Sequence, residues 1–146
     1  MMSLANVDRI SAKEGFDLVG SLVDNKVDPK KIEINIRKSL GILEENGVFA
    51  FFIHLEAKGK KGKDSLGEEK CGRLIYNSAV KLLSNFIDPG LQPKNDNRLL
   101  TDETLWNSLC KEIRNKLKDE AGLVSNIYQM FLIKDILSRE LTYALY

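Results

Sequence analysis

A chain of 146 residues, 43% hydrophobic and 29% charged with only three prolines, is long enough to bury its own core and too apolar to stay disordered. Its 22 basic and 21 acidic residues leave a net charge of +1, which excludes a histone-like, strongly basic binder but says nothing of local patches. No apolar run approaches the roughly 20 residues of a membrane span, and Met1 to Asp8 has neither the charged nor the apolar region of a secretory signal. The expectation is a single cytoplasmic domain over residues 1–146, with no membrane partner.

The first helix is predicted from about Val7 to Lys26, with Phe16, Val19 and Val23 on one face and Leu18 and Leu22 widening it. Asp28-Pro29 starts the next, a carboxylate cap followed by a proline suited to the first turn. Ile32, Ile36, Leu40 and Leu43 continue it at helical spacing, and Asn46-Gly47 offers a left-handed C-terminal cap. A hairpin competes here, because Ile32, Ile34 and Ile36 alternate with polar residues and Asn-Gly is also a hairpin turn signal. The helix formers Lys38, Leu40, Leu43, Glu44 and Glu45 favour the helical reading.

Val48 to Lys60 carries Phe49, Phe51, Phe52, Ile53 and Leu55, apolar on nearly every side, which predicts a central buried helix. A glycine-spaced basic loop, Lys58-Gly59-Lys60-Lys61-Gly62-Lys63-Asp64, breaks the pattern. Ser65 and Glu68 fit a capping box, behind which Cys71, Leu74, Ile75, Ala79, Leu82, Leu83 and Phe86 form the cleanest amphipathic stripe. Asp88-Pro89-Gly90 ends that helix, and a polar loop runs to Leu100. Thr101 or Asp102 caps a fifth helix bearing Leu105, Trp106, Leu109, Cys110, Ile113 and Leu117. After Gly122 a last helix from about Leu123 carries Ile127, Tyr128, Phe131, Leu132, Ile136, Leu137 and Leu141. The sum is an all-α, single-domain bundle of about six helices.

Catalytic patterns are scarce. The sole histidine, His54, lies in the most apolar segment and has no cysteine or second histidine at ligand spacing, so neither a metal nor a cofactor is expected. Cys71 and Cys110 read as buried thiols, with a disulfide as the alternative, and neither sits in a nucleophile motif. Glu44-Glu45 and Glu68-Glu69 are helix neighbours about 100° apart that do not converge on one ion. No Walker-type phosphate loop is present, and the expectation is that the chain is no enzyme. The basic loop is more informative: Lys58, Lys60, Lys61 and Lys63 put four positive charges on a short segment able to reach a phosphate backbone. A soluble connector is the alternative. Lys30, Lys31, Arg37 and Lys38 form a second cluster that would flank the first if the two helices run antiparallel.

The segment LGILEENGVFAFFIHLEAKGK, Leu40 to Lys60, resembles the central motif of the small helical subunit of the Cmr (type III-B) CRISPR effector complex. There an apolar helix runs into Asn-Gly, then an apolar and aromatic helix, then a lysine-containing loop. CGRLIYNSAVKLLSNF, Cys71 to Phe86, is similar in its tyrosine and leucine placement. The last helix departs from the family, ending Tyr143-Ala144-Leu145-Tyr146 in place of a Trp followed by basic residues. The resemblance implies a non-catalytic subunit that self-associates along the inner filament of a ribonucleoprotein, with other Cmr-type subunits and guide and target RNA as partners. Asn46 and Gly47 would be the corner, Phe49, Phe51 and Phe52 core, and Lys58 and Lys60 basic positions near the groove. With the loop and second cluster, the candidate RNA-binding residues are Lys58, Lys60, Lys61, Lys63, Arg37 and Lys38. The other reading is a helical protein-interaction adapter without a nucleic-acid role.

Overall fold

The computed structural model describes residues 4–60, 66–118 and 127–146. Of these, 85% are helical and none is in a strand. The helices are α1 (Leu4–Asp24), α2 (Pro29–Asn46), α3 (Val48–Lys58), α4 (Leu66–Phe86), α5 (Asp96–Thr101), α6 (Glu103–Lys118) and α7 (Ile127–Ala144). Seven helices are thus described where about six were expected. The extra one is α5, which lies in the stretch read as polar loop. Asn95 caps it by accepting from the Arg98 amide at 3.1 Å, and Leu99 anchors it in the core with Leu100 packed partly against it. Two adjacent leucines in so short a helix leave no period to read.

The α2–α3 hairpin is helical, not β. Asp28 accepts from the Lys30 amide at 3.2 Å at the start of α2, as its sequence suggests. Gly47 makes the corner at φ +95°, ψ −176°, an extended conformation open to glycine, rather than the expected left-handed cap. Its N–H donates to Leu43 O at 3.0 Å and its carbonyl accepts from Phe51, so one residue ends α2 and starts α3.

The central helix is α4 and not α3. Every residue from Cys71 to Val80 is buried, whereas on α3 Phe49 and Ile53 are exposed, Ile53 at 67%. The inward side of α3 is Val48, Phe51, Phe52 and Leu55. The misleading signal is polarity: Arg73, Asn77 and Ser78 give α4 the look of a half-solvated helix, yet all three are buried with partners. On α1 the apolar phase is also rotated from expectation. Val7, Leu18 and Leu22 face inward, while Phe16 and Val23 are over half exposed. Gly15 sets that rotation, since a side chain there would meet Glu140 O of α7 at 2.5 Å, and this backbone approach brings α1 onto α7. On α7, Ile133, Ile136, Leu137 and Leu141 are buried, and Tyr128, Phe131 and Leu132 are exposed.

A run of edge-on aromatic contacts ties α3 through α4 to α6: Phe51 to Phe52 at 5.2 Å, Phe52 to Tyr76 at 5.1 Å and Tyr76 to Trp106 at 5.1 Å between ring centroids. Phe51→Ala is expected to cost about 3–5 kcal/mol in urea denaturation, because the transfer energy forfeited and a residual cavity add. A cost under about 1 kcal/mol would mean that the cluster collapses around the gap and does not hold α3 in place.

Candidate nucleic-acid interface

The end of α3 and the first half of α2 meet on one carboxylate at the start of α4. Glu68 pairs with Lys58 and accepts from Asn35 Nδ2 at 3.4 Å. The Lys58 hydrogen bond chiefly holds the Glu68 carboxyl below the usual carboxylate range. So α3 folds back along α2, and Lys58 of the first basic cluster shares one side of the molecule with the second cluster. His54 registers both: burial pushes its pKa down, and the charges of Lys58 and Lys38 push it further.

The six sequence-predicted residues divide. Lys58 is engaged with Glu68 and is only a quarter exposed, which corrects its placement on a free loop, since it ends α3. Arg37 lies on the exposed side of α2 and pairs with Glu33 at 3.1 Å. Lys38 and Lys60 are exposed, with no described carboxylate in ion-pair reach. Lys61 and Lys63, like Ser65 of the capping box and Gly122, lie outside the described residues.

Two lysines not singled out from the sequence join this end. Lys26 follows α1, and Lys70 on the first turns of α4 donates to Asn25 O at 3.0 Å. The α1–α2 turn, the end of α3 and the start of α4 lie at the same end of the bundle, which gathers Lys26, Lys30, Lys31, Lys58, Lys60 and Lys70 there. In the sequence these lysines are scattered among polar residues, and only the fold brings these helix ends side by side.

The thiols of Cys71 and Cys110 are free and buried, and burial pushes both up to about 12, so neither is a thiolate nucleophile near neutral pH. Among the described residues no group of three metal-ligating side chains converges. A depression of about 700 Å³ lies between α1 and the start of α5, and several of its polar groups are engaged in bonds that join the helices. Ser21 donates to Asp96 at 3.1 Å, Lys81 reaches Asp96 at 3.5 Å, and Asn77 donates to Lys94 O at 2.7 Å. These bonds dock the start of α5 on α1 and α4. Among the described residues no helix is long and apolar enough to cross a membrane.

The class these elements define is an all-α bundle with a lysine-rich end. No protein-family model, curated protein or solved structure matches the chain.

Proposed function

We propose that this chain is a non-catalytic small subunit of a CRISPR-type, RNA-guided interference complex of the Cmr kind, acting in the cytoplasm. It stacks with like copies and other Cmr-type subunits along the effector filament, and its basic side chains hold guide and target RNA. The observation that carries the reading is the gathering of lysines from α2, α3 and α4 at one end, with Lys38 and Lys60 free of described ion pairs. Support also comes from the segment on which the resemblance rests, which folds as an apolar helix, a glycine corner and an aromatic helix leading to lysines. Phosphate contacts give affinity without sequence readout, as suits a particle whose sequence information lies in its guide.

The test is charge reversal in the assembled particle. Lys38, Lys60, Lys61 and Lys63 changed together to glutamate should weaken RNA binding and flatten its salt dependence, by roughly 0.7–0.9 in log–log slope for each phosphate no longer neutralised. Lys58 is left in place, because reversing it would set two carboxylates together at Glu68. The melting temperature should hardly move. Unchanged affinity and slope would reject the reading. The adapter reading would then take over, favoured by the exposed Phe49 and Ile53 of α3 and Tyr128, Phe131 and Leu132 of α7.

A further inference from the structure

At the lysine-rich end, three helices leave a depression of about 340 Å³ lined by Lys26, Val27, Asp28, Lys31, Gly67 and Lys70. Three lysines and one aspartate line it, and Asp28 already accepts from the Lys30 amide. Lys70 is fixed by its bond to Asn25 O, and Lys26 and Lys31 have no described carboxylate in ion-pair reach. Gly67 makes room for one of them, because a side chain there would fall on Lys31 Cδ. Glu68, outside the depression, feels the Lys31 charge but is paired with Lys58 and Asn35. The excess of two positive charges matches a doubly charged anion.

Lys26 supplies an independent observation. The end of α1 closes with Lys26 N–H on Val23 O at 2.9 Å and Val27 N–H on Leu22 O at 3.1 Å, a doubly hydrogen-bonded cap whose penultimate residue is usually glycine. Lys26 occupies that position at φ +63°, and among the described residues it is the sole non-glycine with positive φ. A lysine there carries backbone strain that glycine would relieve. Its side chain lines the depression, so the strained backbone delivers a charge to it.

We infer that Lys26, Lys31 and Lys70 form a binding site for a phosphate group, with the doubly charged phosphate monoester as its best ligand. Lys26 and Lys31 supply donors without described ion pairs, and Lys70 supplies one held by Asn25 O. The inference rests on the proposed function only in taking RNA as the carrier of the phosphate.

The test is an amide-resolved NMR titration of the full chain with methyl phosphate and with dimethyl phosphate at constant ionic strength. Methyl phosphate should give saturable shifts at Lys26, Val27, Gly67 and Lys70, stronger as pH rises through its second ionisation near about 6. Dimethyl phosphate, with one charge, should bind more weakly. Lys26→Gly should weaken methyl phosphate about tenfold, as for removal of a charge-assisted hydrogen bond, with an equal or higher melting temperature. Binding and stability moving in opposite directions exclude misfolding as the cause, and Lys70→Met should repeat the loss of binding. Absent or scattered shifts, or unchanged binding in Lys26→Gly, overturn the site.

A second arm uses single-stranded RNA carrying a 5′-phosphate or a 5′-hydroxyl. A preference for the 5′-phosphate that Lys26→Gly abolishes supports the site and assigns it to RNA ends. Equal affinities, both weakened by Lys26→Gly, support it and assign it to internal phosphates. RNA bound equally by wild type and Lys26→Gly, without methyl phosphate binding, overturns the site and leaves the RNA reading standing. Methyl phosphate bound at these residues with no RNA binding, alone or in the particle, supports the site and rejects the RNA reading.

Discussion

Arg73→Met is expected to destabilise the protein by about 3–5 kcal/mol, the usual loss when one partner of a buried charge network is removed. Arg73 is wholly buried on the central helix. Its Nε donates to Gly59 O at 2.8 Å and its Nη1 to Leu99 O at 2.8 Å, the carbonyls that follow α3 and lie near the end of α5. Its Nη2 pairs with Glu103 at the start of α6 and lies 3.5 Å from Glu69. The guanidinium carbon stands 5.3 Å from the Trp106 ring centroid. One side chain therefore binds three helix ends to α4. Methionine fills similar volume, so the loss measures stranded partners more than a cavity. Glu103 is partly exposed and can turn to water, but the two carbonyls have less freedom. Arg73→Lys should recover little, since one ammonium cannot reach carbonyls and carboxylates spread around a planar fork. For a domain of this length the drop in melting temperature is about 10 °C or more. A urea midpoint shift equivalent to less than about 1 kcal/mol in Arg73→Met would show that α5 and α6 are held by their apolar contacts alone.

Helix content was largely legible because its signals are local. Asp28-Pro29, Asp88-Pro89-Gly90 and the stripe from Cys71 to Leu83 mark their elements, and Asp102 caps α6 by accepting from the Leu105 amide at 3.1 Å. Rank in the core was not legible. The segment from Phe49 to Leu55 looks central because burial is read from hydrophobicity, yet position in the bundle is decided by how many neighbours a helix has. With α1, α2, α3, α5 and α7 packed around it, α4 buries even its polar residues. Arg73 looks like a surface residue in the stretch CGRLIYNSAV, and what neutralises it comes from Glu103 and from carbonyls at Gly59 and Leu99. The candidate interface was half legible. The joint placement of the α2 and α3 clusters follows from one tight corner at Gly47, which the sequence announces. Lys26 and Lys70 belong to the same end only because α1 ends beside the start of α4.

Glu140 should make this protein less stable as pH rises from about 5 to about 8. Its carboxyl is buried between α1, α4 and α7, and Oε1 has no hydrogen-bond partner among the described residues. Oε2 touches Ser78 Oγ, which also lies 3.0 Å from Glu14 Oε1. A hydroxyl carries a single proton, so it cannot donate to two ionised carboxylates at once. A proton on Glu140 resolves the conflict: Glu140 donates to Ser78, and Ser78 donates to Glu14. Oε1 is then a neutral carbonyl oxygen, which costs less to leave unpaired than half of a carboxylate. Burial accordingly pushes the Glu140 pKa up to about 8, with the charge of Glu14 adding to the rise and Ser78 and Lys81 opposing it. Glu14 is itself raised, again chiefly by burial, with Lys81 and Ser78 opposing and the charges of Asp17 and Asp96 adding. Since an unfolded glutamate titrates near about 4.3, Glu140 holds up to one more proton in the folded chain than in the unfolded chain across this window. Stability then falls with pH by up to about 1.4 kcal/mol per unit and levels off above the folded pKa. Glu68 and Asp88, both lowered, act in the opposite sense, but only at pH below the ordinary carboxylate range. His54, also lowered, gains stability as pH rises through its own region and partly offsets the fall. Glu140→Gln isolates the effect, because its amide N–H can donate to Ser78 as the protonated acid does and does not titrate. Urea denaturation at pH 5.5, 7 and 8.5 should show wild type losing stability on the order of 3 kcal/mol, while Glu140→Gln stays nearly level and is the more stable at pH 8.5. Parallel profiles for the two proteins, or a Glu140 carboxyl carbon that titrates below about 5 by NMR, would place the proton elsewhere and remove the argument from Ser78.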